Sequence, residues 1–343
     1  MKILGIKFVP LNVPIQKRLQ TLAAGAAIST MIFGGLIGFI LLAYVMFYTQ
    51  YWTIALLYVC WTYILDVKTG ETGGRELKSV RSWLWWKYVR DYFPIRLERV
   101  PWVKLDPERN YLFCCFPHGI LPFGSFSAFA SNWGGFQELF PNHTSHLLTL
   151  SYNFFMPALR ELILSTGMCS SSASSINYLL GYPGGGKAVA LMVGGAAEAF
   201  NCKPGQYRII LTKRKGFVKI ALKNGAPLVP VISFGENDLY NQVNNPKGSL
   251  IRRIQEKLKD VTGIAFAIPM GRGLFQYSFG IIPLQRPIST IIGKPIEVKK
   301  VANPTQEQVN ELHAEFMKQI ANLFEEQKYN YLSNPEQTKL IID

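Results

Sequence analysis

Cysteine is scarce and unpatterned in these 343 residues. The five thiols, Cys60, Cys114, Cys115, Cys169 and Cys202, are odd in number and show no framework spacing. That excludes a disulfide-stapled secreted domain and points to reduced thiols on a cytosolic face. The adjacent Cys114-Cys115 lacks the two-residue gap of a redox or zinc pair, so it reads as part of a buried strand. Histidine is rarer, at four. His143 and His146 flank a predicted loop with no Cys or acid at ligand spacing, so no metal is expected. Acid is also short. Against 36 basic side chains stand 22 acidic ones, a net charge of +14. Such an excess attracts polyanions: nucleic acid, an anionic leaflet or a phosphorylated cofactor. The chain has no zinc-finger spacing, basic zipper or aromatic RNA-binding signature, so nucleic acid is not an expected partner. A phosphate loop exists only in outline. Residues 181–187, GYPGGGK, have its spacing, but Ala188 stands where Ser or Thr must ligate magnesium. A Gly-rich turn before a strand is the reading.

Charge is missing altogether between Leu19 and Leu65. A spanning helix needs about 20 apolar residues, so this run holds two, broken at Tyr48-Thr49-Gln50. The other reading is a buried hairpin of a soluble core. Lys2, Lys7, Lys17 and Arg18 precede the run, and Lys68, Arg75, Lys78, Arg81, Lys87 and Arg90 follow it. Basic flanks on both sides place both ends in the cytosol. The run is too long for a cleaved signal peptide. Trp83, Trp85, Trp86, Tyr88, Tyr92 and Phe93 then suit an interface on the cytosolic leaflet.

From about residue 110 short apolar runs alternate with helical patterns. Strands are predicted at 111–116, 147–150, 188–193, 207–212, 228–234, 264–268 and 290–292, several apolar enough for burial on both faces. Phe217, Ile220 and Ala221 share a helical face, and Gly225 stops that helix. Asn303-Pro304 reads as a cap for a last helix with Pro at its first position. Its apolar stripe is Val309, Leu312, Phe316, Ile320 and Leu323. The alternation predicts an α/β domain. The expected organisation is a cytosolic segment 1–20, a transmembrane hairpin 21–66, an interfacial segment 67–109 and an α/β domain 110–343.

Candidate chemistry centres on His118, which follows a predicted buried strand in Phe116-Pro117-His118-Gly119. A histidine at a strand end suits acid/base work. On position alone a satisfied structural role is equally open. His313 lies beside the stripe of the last helix, and a surface role is expected for it. Glu198 is the only charge between Ala188 and Cys202. A buried carboxylate there needs a partner: His118, or else Arg160 or Arg208. Arg208, Lys213, Arg214, Lys215, Lys219 and Lys223 form a basic run. Arg214 and Lys215 fall at the start of a predicted helix, where cations are unfavourable unless an anion docks. Phosphates of coenzyme A or a lipid headgroup fit that role, and a solvated basic face is the alternative.

At these motifs the sequence resembles the type-2 acyl-CoA:diacylglycerol acyltransferase family, which includes monoacylglycerol acyltransferases and wax synthases. Arg90-Asp91-Tyr92-Phe93-Pro94 is similar to the family's Tyr-Phe-Pro block, and Phe116-Pro117-His118-Gly119 to its His-Pro-His-Gly block. Residues 153–161 (NFFMPALRE), 193–198 (VGGAAE) and 214–221 (RKGFVKIA) match as well. So do Gly225, Leu228-Val229-Pro230, Phe234-Gly235-Glu236-Asn237 and Gly271-Arg272-Gly273-Leu274-Phe275. Phe116 stands where many animal members have the first His, so the resemblance carries catalysis to His118 only.

The resemblance implies a membrane-anchored acyltransferase-like α/β domain behind an N-terminal transmembrane helical hairpin. It implies acyl transfer from acyl-CoA to the hydroxyl of diacylglycerol, with His118 as general base and Glu198 orienting it. Backbone N–H groups near Gly119, or Asn153, would hold the oxyanion. Arg214, Lys215, Gly216, Phe217, Lys219 and Arg272, with Tyr92, Phe93 and Pro94, would bind substrate. No cofactor beyond the co-substrate acyl-CoA is implied. Monoacylglycerol and fatty alcohol are the alternative acceptors, and a non-catalytic lipid-binding relative is the alternative of another class. Expected partners are membrane lipids and a second copy of the chain. The expected location is the endoplasmic reticulum membrane, with lipid droplets as a second site. The sequon Asn142-His143-Thr144 should face the cytosol unused.

Overall fold

The computed structural model describes residues 2–343 except 4, 11, 102, 103, 244, 245, 247, 263 and 264. Two apolar helices come first: α1, Ile15–Tyr48, and α2, Trp52–Cys60, which continues as a π turn over Trp61–Leu65. The polar break is the turn between them. Thr49 Oγ1 donates to the Val45 carbonyl at 2.8 Å and accepts from Tyr51 N at 3.1 Å, so its hydroxyl is satisfied locally. α1 is long and apolar enough to cross a membrane. Leu36, Ile40 and Phe47 on it are 61%, 58% and 75% exposed, as on a helix whose apolar surface meets lipid. The second arm has nine α-helical and five π-helical residues. At about 1.5 Å per residue it covers roughly 21 Å, short of a hydrocarbon core of about 30 Å. The two helices and the break fall where the sequence places them, and the hairpin is asymmetric.

Glycine lets α1 lie against the following domain. A methyl on Gly38 would fall 1.9 Å from the Pro157 carbonyl oxygen, and one on Gly35 would fall 2.3 Å from the Met156 sulfur. Lower on α1, Ala23, Ala24 and Ile28 pack with Trp86, Val89 and Tyr92 of α3, Leu84–Tyr92. Half of the basic aromatic stretch therefore faces protein, while Trp83 and Leu84 are exposed. Beyond the π turn, Asp66 pairs with Arg75 and with the buried Arg160, which also holds Glu161 at 2.6 Å.

A seven-stranded sheet carries the rest. Its strands are β1 Ile95–Arg99, β2 Tyr111–Phe116, β3 Thr144–Thr149, β4 Cys169–Ser170, β5 Lys187–Met192, β6 Leu228–Phe234 and β7 Ile288–Ile292. They lie in the order β1-β7-β6-β2-β5-β3-β4. β2 is central and parallel to β5 and β6, while β7 runs antiparallel to β6. β2 and β6 are buried at every residue, because helices cover both faces. α4 (Phe123–Ala130) and α5 (Leu159–Ser165) pack on the face of Phe113 and Cys115. α6 (Ala173–Leu180), α7 (Gly216–Asn224) and α8 (Gln306–Tyr331) pack on the face of Cys114 and Phe116.

Several elements differ from the sequence expectation. His146 lies inside β3, which begins three residues before the predicted strand. The run at 207–212 is a strand only over Tyr207–Ile209, and it pairs with Leu340–Ile342 outside the main sheet. Residues 265–268 form no strand, and Ile264 lies outside the described residues. The cap of α8 is Thr305, in a capping box with Gln308, and not Asn303-Pro304. Its stripe buries Val309, Phe316, Ile320 and Leu323, with Leu312 partly covered. His313 is buried, not exposed, because its Nε2 meets the Leu211 carbonyl at 3.1 Å.

Candidate active site at the carboxyl ends of the central strands

In open α/β sheets, ligands bind outside the carboxyl ends of the strands. Here those ends present His118 after β2, Gly194 and Glu198 after β5, and Glu236 after β6. The apolar run of β2 stops at Pro117, and the chain turns at Gly119, whose φ of 63° favours glycine. His118 is thereby left partly exposed at the mouth of a buried strand.

The ring of His118 is oriented by its own turn. Its Nδ1 lies 3.1 Å from the Gly119 carbonyl. A carbonyl only accepts, so Nδ1 carries the proton and Nε2 keeps its lone pair. Burial lowers the pKa of His118 below the ordinary histidine value, against the opposing pull of that carbonyl. The imidazole is therefore neutral at neutral pH, as a general base must be.

Glu198 meets His118 through the backbone. Its Oε2 accepts from His118 N at 2.8 Å, and its Oε1 accepts from Ile210 N at 2.7 Å. A carboxylate acting as in a catalytic triad would instead meet the ring. The alternative partners are engaged elsewhere: Arg160 with Asp66 and Glu161, Arg208 with Asp343 at 3.0 Å. Glu198 is 2% exposed, and burial pushes its pKa up to about 7 although both N–H groups and Arg214 oppose the shift. Gly194 is obligatory beside it, because a methyl there would fall 1.9 Å from Glu198 Oε1.

A second carboxylate closes the same turn. Glu236 is buried, and its Oε1 and Oε2 accept from Phe123 N and Gly124 N at 2.8 and 2.9 Å. Burial raises its pKa to about 8, again against its two N–H donors. Both acids thus have folded values above their unfolded ones. The folded chain holds protons that the unfolded chain releases, so this contribution to stability is whole below the ordinary carboxylate range. It is lost as pH rises through about 7 and then about 8. Between pH 5 and 9 the thermal midpoint should fall with rising pH, and fall less steeply in Glu236→Gln. Parallel curves for the two proteins would contradict this.

A cleft of about 330 Å³ opens beside the site. Lys213, Arg214, Lys215, Gly216 and Phe217 line it with Ser171 from the end of β4. The amino ends of α6 and α7 both border it, and each is a positive helix pole. Lys215 Nζ is held by Asn310 at 2.7 Å, and Arg214 reaches the Gly194 carbonyl at 3.4 Å. Through Gly194 and Glu198 the basic cleft is thus one contact chain away from His118.

Other residues singled out by sequence lie elsewhere. Lys219 is exposed on α7. Arg272 is buried over the Tyr277 ring at 4.2 Å, donating to the Gly273 carbonyl. Tyr92 and Phe93 are fully buried; Tyr92 donates to the Pro283 carbonyl at 2.7 Å, and Phe93 packs on Phe123 at 4.6 Å. They brace the start of α4, while Pro94 is exposed at a φ of 25°. Asn153 follows β3, two strands from β2, and its amide already donates to Thr149. Phe116 is 1% exposed and faces Phe316 at 6.3 Å, inside an apolar core and not in the cleft. Among the described residues no cluster of metal-ligating side chains occurs. Sequence reasoning gave Glu236 no role beyond its place in a matching block and missed Ser171 in the cleft lining, although an isolated acid beside an apolar strand was the signal that singled out Glu198.

The chain is similar to known proteins over nearly its whole length. It is 44% identical to 2-acylglycerol O-acyltransferase 1 of Bos taurus over 98% of this chain and 99% of that one. It is also 44% identical to diacylglycerol O-acyltransferase 2 of Dictyostelium discoideum, over 94% and 96%. Human diacylglycerol O-acyltransferase 2-like protein 6 is 40% identical over 96% and 97%. Among solved structures, the 1-acyl-sn-glycerophosphate acyltransferase of Thermotoga maritima matches at 13% identity with a TM-score of 0.38, over 89% of this chain and 95% of that one. The diacylglycerol acyltransferase family matches residues 44–343, and the chain belongs to that family of acyltransferases.

Proposed function

We propose that this O-acyltransferase moves a fatty acyl group from acyl-CoA to the free hydroxyl of diacylglycerol, with His118 as general base. The observation that carries the reading is the 3.1 Å approach of His118 Nδ1 to the Gly119 carbonyl; an acceptor there assigns the ring proton to Nδ1 and leaves the Nε2 lone pair free at the mouth of β2. Nε2 would take the proton of the acceptor hydroxyl as that oxygen attacks the thioester carbonyl. The new ester C–O bond forms, the C–S bond breaks, and the proton passes from the imidazolium to the departing thiolate. The coenzyme A phosphates would lie in the basic cleft, where two helix poles and Lys213, Arg214 and Lys215 favour anions. Backbone N–H groups at Gly119 are the candidate oxyanion donors, and Asn153 is the less accessible one because its amide is engaged.

Monoacylglycerol is the second reading for the acceptor, favoured by the equal identity to a 2-acylglycerol acyltransferase. The asymmetric hairpin would hold the enzyme in the endoplasmic reticulum membrane with both ends cytosolic, where water-insoluble acceptors partition.

The test uses the full chain in micelles with labelled acyl-CoA and diacylglycerol, monoacylglycerol or fatty alcohol. Triacylglycerol should form fastest. Faster formation of diacylglycerol or of wax ester would replace the acceptor, and no transfer to any would overturn the reading. In the same assay, Lys213→Ala with Lys215→Ala should raise the KM for acyl-CoA about tenfold and leave kcat within twofold, as loss of uniform binding does.

A further inference from the structure

The turn from residue 118 to residue 124 is wrapped around one side chain, that of Glu236. Both glycines of the turn exist in contact with it. A methyl on Gly119 would fall 3.0 Å from Glu236 Cγ, and one on Gly124 would fall 2.8 Å from Glu236 Oε2 and 2.7 Å from Thr290 Oγ1. Both carboxylate oxygens are spent on the turn's far end, at Phe123 N and Gly124 N. These are among the first N–H groups of α4, which have no partner inside the helix. Pro122, the residue before the helix, makes no side-chain cap, so Glu236 supplies the cap from a different strand. Glu236 is itself placed by Gly235, whose φ is 87° and whose N–H donates to the buried Tyr207 hydroxyl at 3.0 Å.

Glu198 holds the other end of the same turn at His118 N. Two acids from the strands flanking β2 therefore grip the segment at its first residue and at its last two. Among the described residues neither acid makes an ion pair. A solvated surface acid has no need of such a place; an unpaired buried carboxylate is costly unless N–H donors compensate it. The Gly119 carbonyl that orients the His118 ring lies between the two grips.

We propose that Glu236 is a positioning residue of this acyltransferase, fixing the turn at 118–124 so that the Gly119 carbonyl aims His118 Nε2 at the acceptor hydroxyl. The inference rests on the reading of His118 as the base. Glu236 touches no substrate; it acts through backbone geometry. Misplacing a reacting group by about 1 Å can cost on the order of 10²-fold in rate. Because Glu198 still holds the His118 end, the expected loss is smaller.

The experiment compares kcat and KM in Glu236→Ala, Glu236→Gln, Leu179→Ala and His118→Ala, each as the full chain in micelles, with folding checked by thermal midpoint. Glu236→Ala should lower kcat about tenfold, with KM for acyl-CoA within threefold. Assayed above pH 8, where Glu236 is ionised, Glu236→Gln, which keeps one acceptor oxygen, should recover part of that loss and stay below wild type. Leu179→Ala, a core deletion in α6 away from the turn, should lower the midpoint and leave kcat within twofold. The proposal is overturned by wild-type kcat in either Glu236 variant. It is also overturned by a loss confined to KM, or by an equal kcat loss in Leu179→Ala. If Glu236→Ala does not fold, Glu236→Gln decides alone. Full activity in His118→Ala would instead overturn the reading beneath it, whereas an inactive His118→Ala beside active Glu236 variants would overturn this inference only.

Discussion

His118→Ala is expected to lower kcat/KM by about 10²- to 10⁴-fold, the usual span for a lost general base. The side chain is small and at the mouth of the site, so the fold should survive, with a thermal midpoint near wild type. Residual turnover would come from the basic cleft and backbone donors, which still bring the thioester and hydroxyl together. Two titrations shape the acidic side of the wild-type profile. Glu198 gains its proton as pH falls through about 7, and its grip on His118 N weakens. His118 gains its own proton lower still, because burial holds its pKa below the ordinary value. Activity should therefore fall on acidification and rise once more through about pH 8, where Glu236 ionises and its hold on Phe123 N and Gly124 N tightens. In His118→Ala the lower step should vanish from the residual rate. A variant with wild-type kcat/KM between pH 6 and 8 would exclude His118 as the base.

The parts of the molecule legible from sequence are those where one local rule suffices. β2, β6 and α7 begin and end where apolar runs, prolines and Gly225 place them, because burial on both faces leaves a continuous apolar signal. β1 was not legible. Its residues Ile95, Arg96, Leu97, Glu98 and Arg99 alternate, and the strand pairs only with β7 at the sheet edge, so Arg96 and Glu98 reach solvent while Arg99 turns inward over Phe140. His313 misled for a related reason. A histidine beside an apolar stripe looks exposed until a distant carbonyl, that of Leu211, gives it a buried partner. The site divides the same way. His118 was found because a breaker follows a buried strand. The contact of Glu198 with a backbone N–H, rather than with the ring, depends on where β5 sits beside β2. Glu236 stayed silent because its partners are 112 and 113 residues away. The three basic residues of the cleft were visible as a run, but Arg272 could not be separated from them without the fold, which buries it over Tyr277.

Glu198→Ala is expected to lower kcat on the order of 10²-fold, the cost of a small misplacement of a reacting group, with KM for acyl-CoA little changed. The alanine leaves His118 N and Ile210 N without their acceptor, so the turn after β2 and the strand end before α7 both lose their anchor. How Glu198 acts can be read from two further variants. A carboxylate that stabilised an imidazolium by its charge would be lost equally in Glu198→Gln and Glu198→Ala. A carboxylate that anchors backbone keeps one acceptor oxygen as Gln, so Glu198→Gln should lose only about tenfold, within the span that one net hydrogen bond explains. Gly194→Ala approaches from the other side. Its methyl would sit 1.9 Å from Glu198 Oε1, which must move while its charge stays. This variant should lose activity nearly as far as Glu198→Ala. The pH profile adds a third reading. Both oxygens accept at full strength only when the group is ionised, so the anchor is strongest above about pH 7 and weakens below it. The step near 7 in kcat should be present in wild type and absent in Glu198→Gln. Equal losses in Gln and Ala, with that step unchanged, would show that Glu198 serves the ring by charge and not the turn by its backbone.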